Sequence, residues 1–95
     1  MDYMSRALDK AREALGISSP NPPVGAVLVK DGLIVGEGHT MPPGESHAEI
    51  IALKQAGSKA RGATLYTTLE PCCHYGRTPP CTREIINSGV SAISI

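Results

Sequence analysis

The chain has no phenylalanine and no tryptophan, and only three tyrosines among its 95 residues. The side chains that usually bury the most apolar area are therefore nearly missing. A chain of this length buries roughly 60–70% of its unfolded surface, so a core built without them is small. A metal, a partner subunit or further chain is expected to help hold the fold. An excess of one charge is also lacking: nine Lys and Arg balance nine Asp and Glu. A dedicated nucleic-acid binder carries a basic surplus, so nucleic acid is not an expected partner. No apolar run approaches the roughly 20 residues of a membrane span. Residues Met1 to Arg6 lack the basic flank and apolar stretch of a secretory signal. A soluble cytoplasmic protein with no membrane partner is the expectation. The glycines between Gly32 and Gly44 form no G-x-G-x-x-G pattern, which argues against a dinucleotide site. The three cysteines are an odd number, better suited to thiols or metal ligands than to a disulfide framework.

What is present reads as alternating helices and strands. Met4, Ala7, Leu8, Ala11 and Leu15 follow helical spacing, with Asp2 to cap the start and Gly16 to end it. After a Ser- and Pro-rich loop, Val24 to Val29 reads as a buried strand. Asp31-Gly32 is a two-residue hairpin turn, and Leu33 to Val35 returns antiparallel. Gly36 to Ser46 reads as a loop. A helix is expected from His47 to Gln55, ended by Gly57, and a strand from Ala63 to Leu69. A third helix runs from Pro80 to about Ser88 with Gly89 as its cap, and a last strand covers Val90 to Ile95. The order is α-β-β-α-β-α-β. It predicts an α/β fold with a mixed sheet, parallel pairing after the hairpin and helices on the sheet faces.

Four residues stand out as chemistry. His47 and Glu49 open the second helix, Cys72 follows the third strand, and Cys81 starts the third helix. One imidazole and two thiolates suit zinc, and three protein ligands leave a fourth position open, as a catalytic site requires. A helix N-terminus favours the thiolate form of Cys81. Two thiolates neutralise the dication, so it acidifies water less than an all-histidine site. A carboxylate base is then needed, and Glu49 is placed to take the water proton and pass it to a substrate nitrogen. Each residue also has an ordinary reading alone: His47 as a helix cap, the cysteines as buried thiols, Glu49 as a favourable first-turn charge. A closed structural site with Cys73 as fourth ligand is a further alternative, although adjacent residues rarely aim at one metal.

Zinc deaminases carry H-x-E followed by P-C-x-x-C. The first half is present. In the second, Tyr75 stands three residues beyond Cys72, and the next cysteine after Cys72-Cys73 is Cys81. The run Thr68-Leu69-Glu70-Pro71-Cys72-Cys73-His74-Tyr75-Gly76-Arg77-Thr78-Pro79-Pro80-Cys81 resembles one branch of that superfamily, the deaminase domain of the riboflavin-biosynthesis deaminase–reductase. Asn21 to Val27, His47-Ala48-Glu49 and Ala60 to Thr64 resemble its other signature segments. The resemblance covers nearly the whole chain.

That resemblance implies a cytidine-deaminase-like three-layer sandwich. It implies hydrolytic deamination of 2,5-diamino-6-ribosylamino-4(3H)-pyrimidinone 5′-phosphate, with release of ammonia. It assigns zinc to His47, Cys72 and Cys81, and the proton shuttle to Glu49. Asn21 would contact the pyrimidine, His74 would join the substrate site, and Arg77 would suit the phosphate. A homo-oligomer acting on a small molecule is implied. Residues 1–95 would form a deaminase domain stopping after its fourth strand, with no reductase domain. There are departures. Thr40, beside His39, stands where the family often has His, and Cys73 stands where it often has Ser. Two other readings remain open: another nucleoside, nucleotide or tRNA-adenosine deaminase of the superfamily, and a non-catalytic zinc-stabilised fragment.

Overall fold

The computed structural model describes residues 2–15, 23–41, 47–68 and 81–94, with the backbone alone for 81–84. The elements are α1 (Tyr3–Glu13), β1 (Gly25–Lys30), β2 (Leu33–His39), α2 (Ala48–Ala56) with a 3₁₀ turn (Gly57–Ala60), β3 (Thr64–Thr67), α3 (Cys81–Ser88) and β4 (Ala92–Ser94). This is the order expected from the sequence. The sheet runs β2-β1-β3-β4. β1 is antiparallel to both neighbours, and β3 and β4 are parallel. The parallel pairing expected after the hairpin therefore holds for β3 and β4, whereas β3 joins the hairpin antiparallel to β1.

Local chemistry explains the elements. Asp2 caps α1, its carboxylate accepting from the N–H of Met4 at 3.1 Å and Ser5 at 3.4 Å. The β1–β2 hairpin turns on Asp31 and Gly32, both at positive φ (53° and 77°), as a tight two-residue turn requires. α2 ends at Gly57, and Gly89 follows α3 at a φ of 82°. Gly16, the expected end of α1, lies outside the described residues. The helix itself ends at Glu13 with Ala14 as its cap.

The absence of large aromatics is answered by close packing. β1 is buried on both faces. Ala26 and Leu28 face a core shared with Ala48, Ala52 and Ala56 of α2, Leu65 of β3 and Ile85 of α3. Val27 and Val29 face α1 through Ala7. α1 thus covers one face of the sheet, and α2 and α3 the other. The helices are drawn very near the strands. A Cβ on Gly25 would overlap the Ala7 carbonyl oxygen, and Cβ atoms on Gly36 and Gly38 would overlap the carbonyl oxygens of Ala52 and Ala48.

Two expectations change for this reason. Gly36 to His39 belong to β2 rather than a loop, because glycine there is what lets α2 lie on the strand. On α1 the buried stripe is Ala7, Ala11 and Ala14, while Leu8 and Leu15 are exposed. At such short separation the stripe over Gly25 admits only small residues. β4 is also more exposed than its apolar sequence suggests, with Ile93 at 45% exposure on the sheet's outer strand.

Candidate active site

The topology brings the ends of β2 and β3, the start of β1 and the N-terminus of α2 to one end of the sheet. β2 and β3 both run antiparallel to β1, so their last residues lie beside the first of β1. The Ala48 carbonyl sits over Gly38 and the Ala52 carbonyl over Gly36, so α2 runs antiparallel to β2. Its N-terminus therefore lies at the same end. The C-terminal end of α3 is pinned at the opposite end, where the Gly62 N–H donates to the Gly89 carbonyl at 2.8 Å. Cys81, the first residue of α3, is thereby directed toward the β3 exit. Two helix N-termini, with their unpaired N–H groups and positive dipole ends, share this end of the molecule.

His47 is the N-cap residue of α2, with extended backbone (φ −75°, ψ 163°), and its carbonyl accepts from the Ile51 N–H at 3.1 Å. Glu49 lies in the first turn and is 4% exposed. Burial pushes its carboxyl above the ordinary carboxylate range, only partly offset by a hydrogen bond from its own backbone N–H. A group shifted this way holds and returns a proton nearer neutrality than a surface glutamate does.

Among the described residues, Thr40, Glu49 and Thr67 are the buried polar ones. Glu49 is on α2, and Thr67 is on the α2 side of the sheet, since it pairs with Ala26. Thr40 continues the alternation of Gly36 and Gly38 just past the end of β2. The sequence reading did not single out Thr67 or Thr68. Threonine is an ordinary strand residue, and only its place at a strand end in a buried layer marks it.

His39 is turned the other way. Its Nε2 is 3.9 Å from a Glu13 carboxylate oxygen of α1, and its Nδ1 is 3.2 Å from the Thr40 carbonyl. It belongs to the α1 face with Glu37, which receives Nε and Nη2 of Arg6. His39 therefore does not replace a histidine at position 40. Cys72, Cys73, Asn21, His74 and Arg77 lie outside the described residues, and of Cys81 the backbone position alone is described.

The donor set expected from the sequence, the imidazole of His47 with the thiols of Cys72 and Cys81, suits zinc, and His47 stands at the N-cap of α2. Among the described residues no group of three His, Cys, Asp or Glu could hold a metal, and the side chains of Cys72, Cys73 and Cys81 lie outside them.

A buried carboxylate, a histidine at the N-cap position two residues before it and this α/β sandwich define a class. The chain belongs to the family described as the cytidine and deoxycytidylate deaminase zinc-binding region, which matches residues 1–95. Zinc is accordingly the metal of its site. Within that class the chain is 56% identical over 94 residues to the riboflavin biosynthesis protein RibD of Aquifex aeolicus, covering 99% of this chain and 26% of the relative. It is 50% identical over 93 residues to the diaminohydroxyphosphoribosylamino-pyrimidine deaminase of Buchnera aphidicola, covering 98% of this chain and 63% of that protein. The solved structure of Acinetobacter baumannii RibD (form 2) superposes with a TM-score of 0.94 at 48% identity, covering 96% of this chain and 26% of that one. The chain thus spans about a quarter of the length of the RibD relatives it matches. No helix among the described residues is long and apolar enough to cross a membrane.

Proposed function

We propose that this chain is the deaminase part of a riboflavin-biosynthesis enzyme. Its substrate is 2,5-diamino-6-ribosylamino-4(3H)-pyrimidinone 5′-phosphate. One water is consumed, the exocyclic C2–N bond breaks, a C2–O bond forms, and ammonia leaves. The observation that carries this reading is Glu49, buried in the first turn of α2, two residues past the His47 cap, where the β2 and β3 exits meet the start of β1. The naming of the relatives supports the choice of substrate.

In this reading His47, Cys72 and Cys81 hold zinc. When bound, the metal would act as a Lewis acid that lowers the pKa of a water molecule. Glu49 takes the proton from that water, gives it to the ring nitrogen, and then serves the leaving amine. Its burial excludes bulk water from the transfer and fits it to move a proton in both directions. Asn21 orients the pyrimidine, His74 joins it on the substrate, and Arg77 pairs with the phosphate. The substrate is a small molecule met in the cytoplasm, and the domain works as a homo-oligomer. Residues 1–95 form the deaminase domain.

The test is ammonia release by the intact, zinc-loaded protein from the diaminopyrimidine phosphate, with cytidine and deoxycytidylate in parallel. Release from the first substrate, lost by about 10²–10⁴-fold in Glu49→Gln at unchanged zinc content, is expected. Release from cytidine or deoxycytidylate alone would overturn the substrate assignment.

A further inference from the structure

The last rung of each ladder beside β1 is built in an unusual way. Thr40 donates its N–H to the Val24 carbonyl at 2.9 Å, as in a hydrogen-bonded antiparallel pair. The return bond of such a pair would run from the Val24 N–H to the Thr40 carbonyl. It runs instead to the Thr40 hydroxyl, Oγ1, at 2.9 Å. The other side of β1 repeats the arrangement. Thr68 donates its N–H to the Gly25 carbonyl at 3.1 Å, and the Gly25 N–H goes to the Thr68 hydroxyl at 3.2 Å. In both rungs a hydroxyl stands in for its own residue's carbonyl.

The consequence is geometric. A threonine whose carbonyl is released from the ladder need not keep its ψ in the strand. The chain can leave the sheet there while the N–H on β1 stays satisfied. Thr40 is seven residues before His47 and Thr68 four before Cys72, so these two exits begin the segments that lead to two of the three expected ligands. Val24 and Gly25 are the residues through which the chain from Asn21 enters β1. Below them, a Cβ on Gly25 would lie 2.5 Å from the Ala11 nitrogen, so α1 closes off the third side. The start of β1 is thus fixed from β2, β3 and α1 together.

We propose that Thr40 and Thr68 are paired positioning residues, whose hydroxyls set where β2 and β3 leave the sheet and thereby where the chain starts toward His47 and toward Cys72. The functional consequence rests on the deaminase reading above, whereas the aiming itself does not. Replacing either hydroxyl by methyl leaves a β1 N–H without an acceptor, or draws the threonine's carbonyl back into the rung. Either outcome moves the exit.

The test uses the intact, zinc-loaded protein and the variants Thr40→Val, Thr68→Val, Thr40→Ser, Thr68→Ser and Thr40→Ala. Zinc transfer to a chelator, KM and kcat for the diaminopyrimidine phosphate, and thermal midpoints are measured. Both Val variants are expected to lose zinc about fivefold faster, as fits one mispaired hydrogen bond. Their kcat at full zinc occupancy is expected to fall by a similar factor, with KM nearly unchanged. The Ser variants restore both values, and Thr40→Ala, which has room for a water acceptor, falls between. Wild-type zinc release and kcat in the Val variants would overturn the proposal. So would Val and Ala variants that fail to fold, since the threonines would then hold the sheet rather than aim its exits. A wild-type protein that releases no ammonia defeats the deaminase reading alone, and the zinc-transfer comparison then decides the role of the threonines by itself.

Discussion

Replacing Gly38 by alanine tests the packing that puts α2 over the site. A Cβ at this position would overlap the Ala48 carbonyl oxygen and lie 2.9 Å from Ile51 Cβ and 3.0 Å from the Ala52 nitrogen. Two carbons rest at about 3.5–4.0 Å, so the Ile51 contact alone is short by about 0.6–1.1 Å. None of these neighbours is the flexible end of a side chain. Relief must come from moving the first turn of α2 away from β2 by about 1 Å, and that turn carries His47 and Glu49. Overpacking of this kind costs about 1–3 kcal/mol. A misplacement of about 1 Å in a catalytic group lowers turnover by up to about 10²-fold. Urea melts and ammonia release at matched zinc content measure the two effects. Gly57→Ala is the control: its φ of 59° strains an alanine, but nothing lies within 4 Å of the new Cβ. That variant should lose about 1–3 kcal/mol of stability, because its φ of 59° and ψ of −130° suit glycine alone, and keep its turnover. Wild-type stability and turnover in Gly38→Ala, or an equal loss of turnover in Gly57→Ala, would refute the reasoning.

Other perturbations have equally definite outcomes. The Arg6 guanidinium holds the Glu37 carboxyl below its ordinary value of 4.5. The resulting stability is complete above that pH and is lost as pH falls through the lower folded value. The gap in thermal midpoint between wild type and Glu37→Gln should therefore be widest near neutrality and close in acid below pH 4.5. Asp2→Ala removes both cap bonds of α1 and should lower the midpoint measured by circular dichroism, while Asp2→Asn should retain most of it. Stripping zinc with a chelator should lower the calorimetric midpoint, and readdition should restore it in a concentration-dependent way, since the metal binds the folded state.

Turn chemistry made most of the fold legible in the sequence. Asp31-Gly32, Gly57 and Gly89 mark ends that any reading by backbone conformation finds, and the helical spacing from Met4 to Ala11 locates α1. Gly36 and Gly38 were not legible as strand residues. Their role exists only once α2 lies across them, and glycine otherwise signals a loop. The antiparallel placement of β3 against β1 was hidden for a similar reason, since element order does not say on which side of the hairpin a strand docks. Leu8 and Leu15 fit a helical stripe in sequence, yet the close approach at Gly25 selects the alanines beside them.

The site divides in the same manner. His47 and Glu49 stand out because a metal ligand and a base two residues apart form a compact motif. The fold then explains them as the cap and first turn of a helix seated on glycine. Thr40, Thr67 and Thr68 carry no such signature. A hydroxyl that replaces its own carbonyl in a ladder becomes visible only when the partner strand is known.

The central claim is a zinc ion held by His47, Cys72 and Cys81 with one position open to water. X-ray absorption at the zinc edge of the intact protein tests it most directly. Two sulfurs at about 2.3 Å and two lighter donors at about 2.0–2.1 Å, one of them an imidazole nitrogen, are expected. The Cys81→Ser variant should lose one sulfur. A shell of three sulfurs, which would bring in Cys73 and close the site, would contradict it.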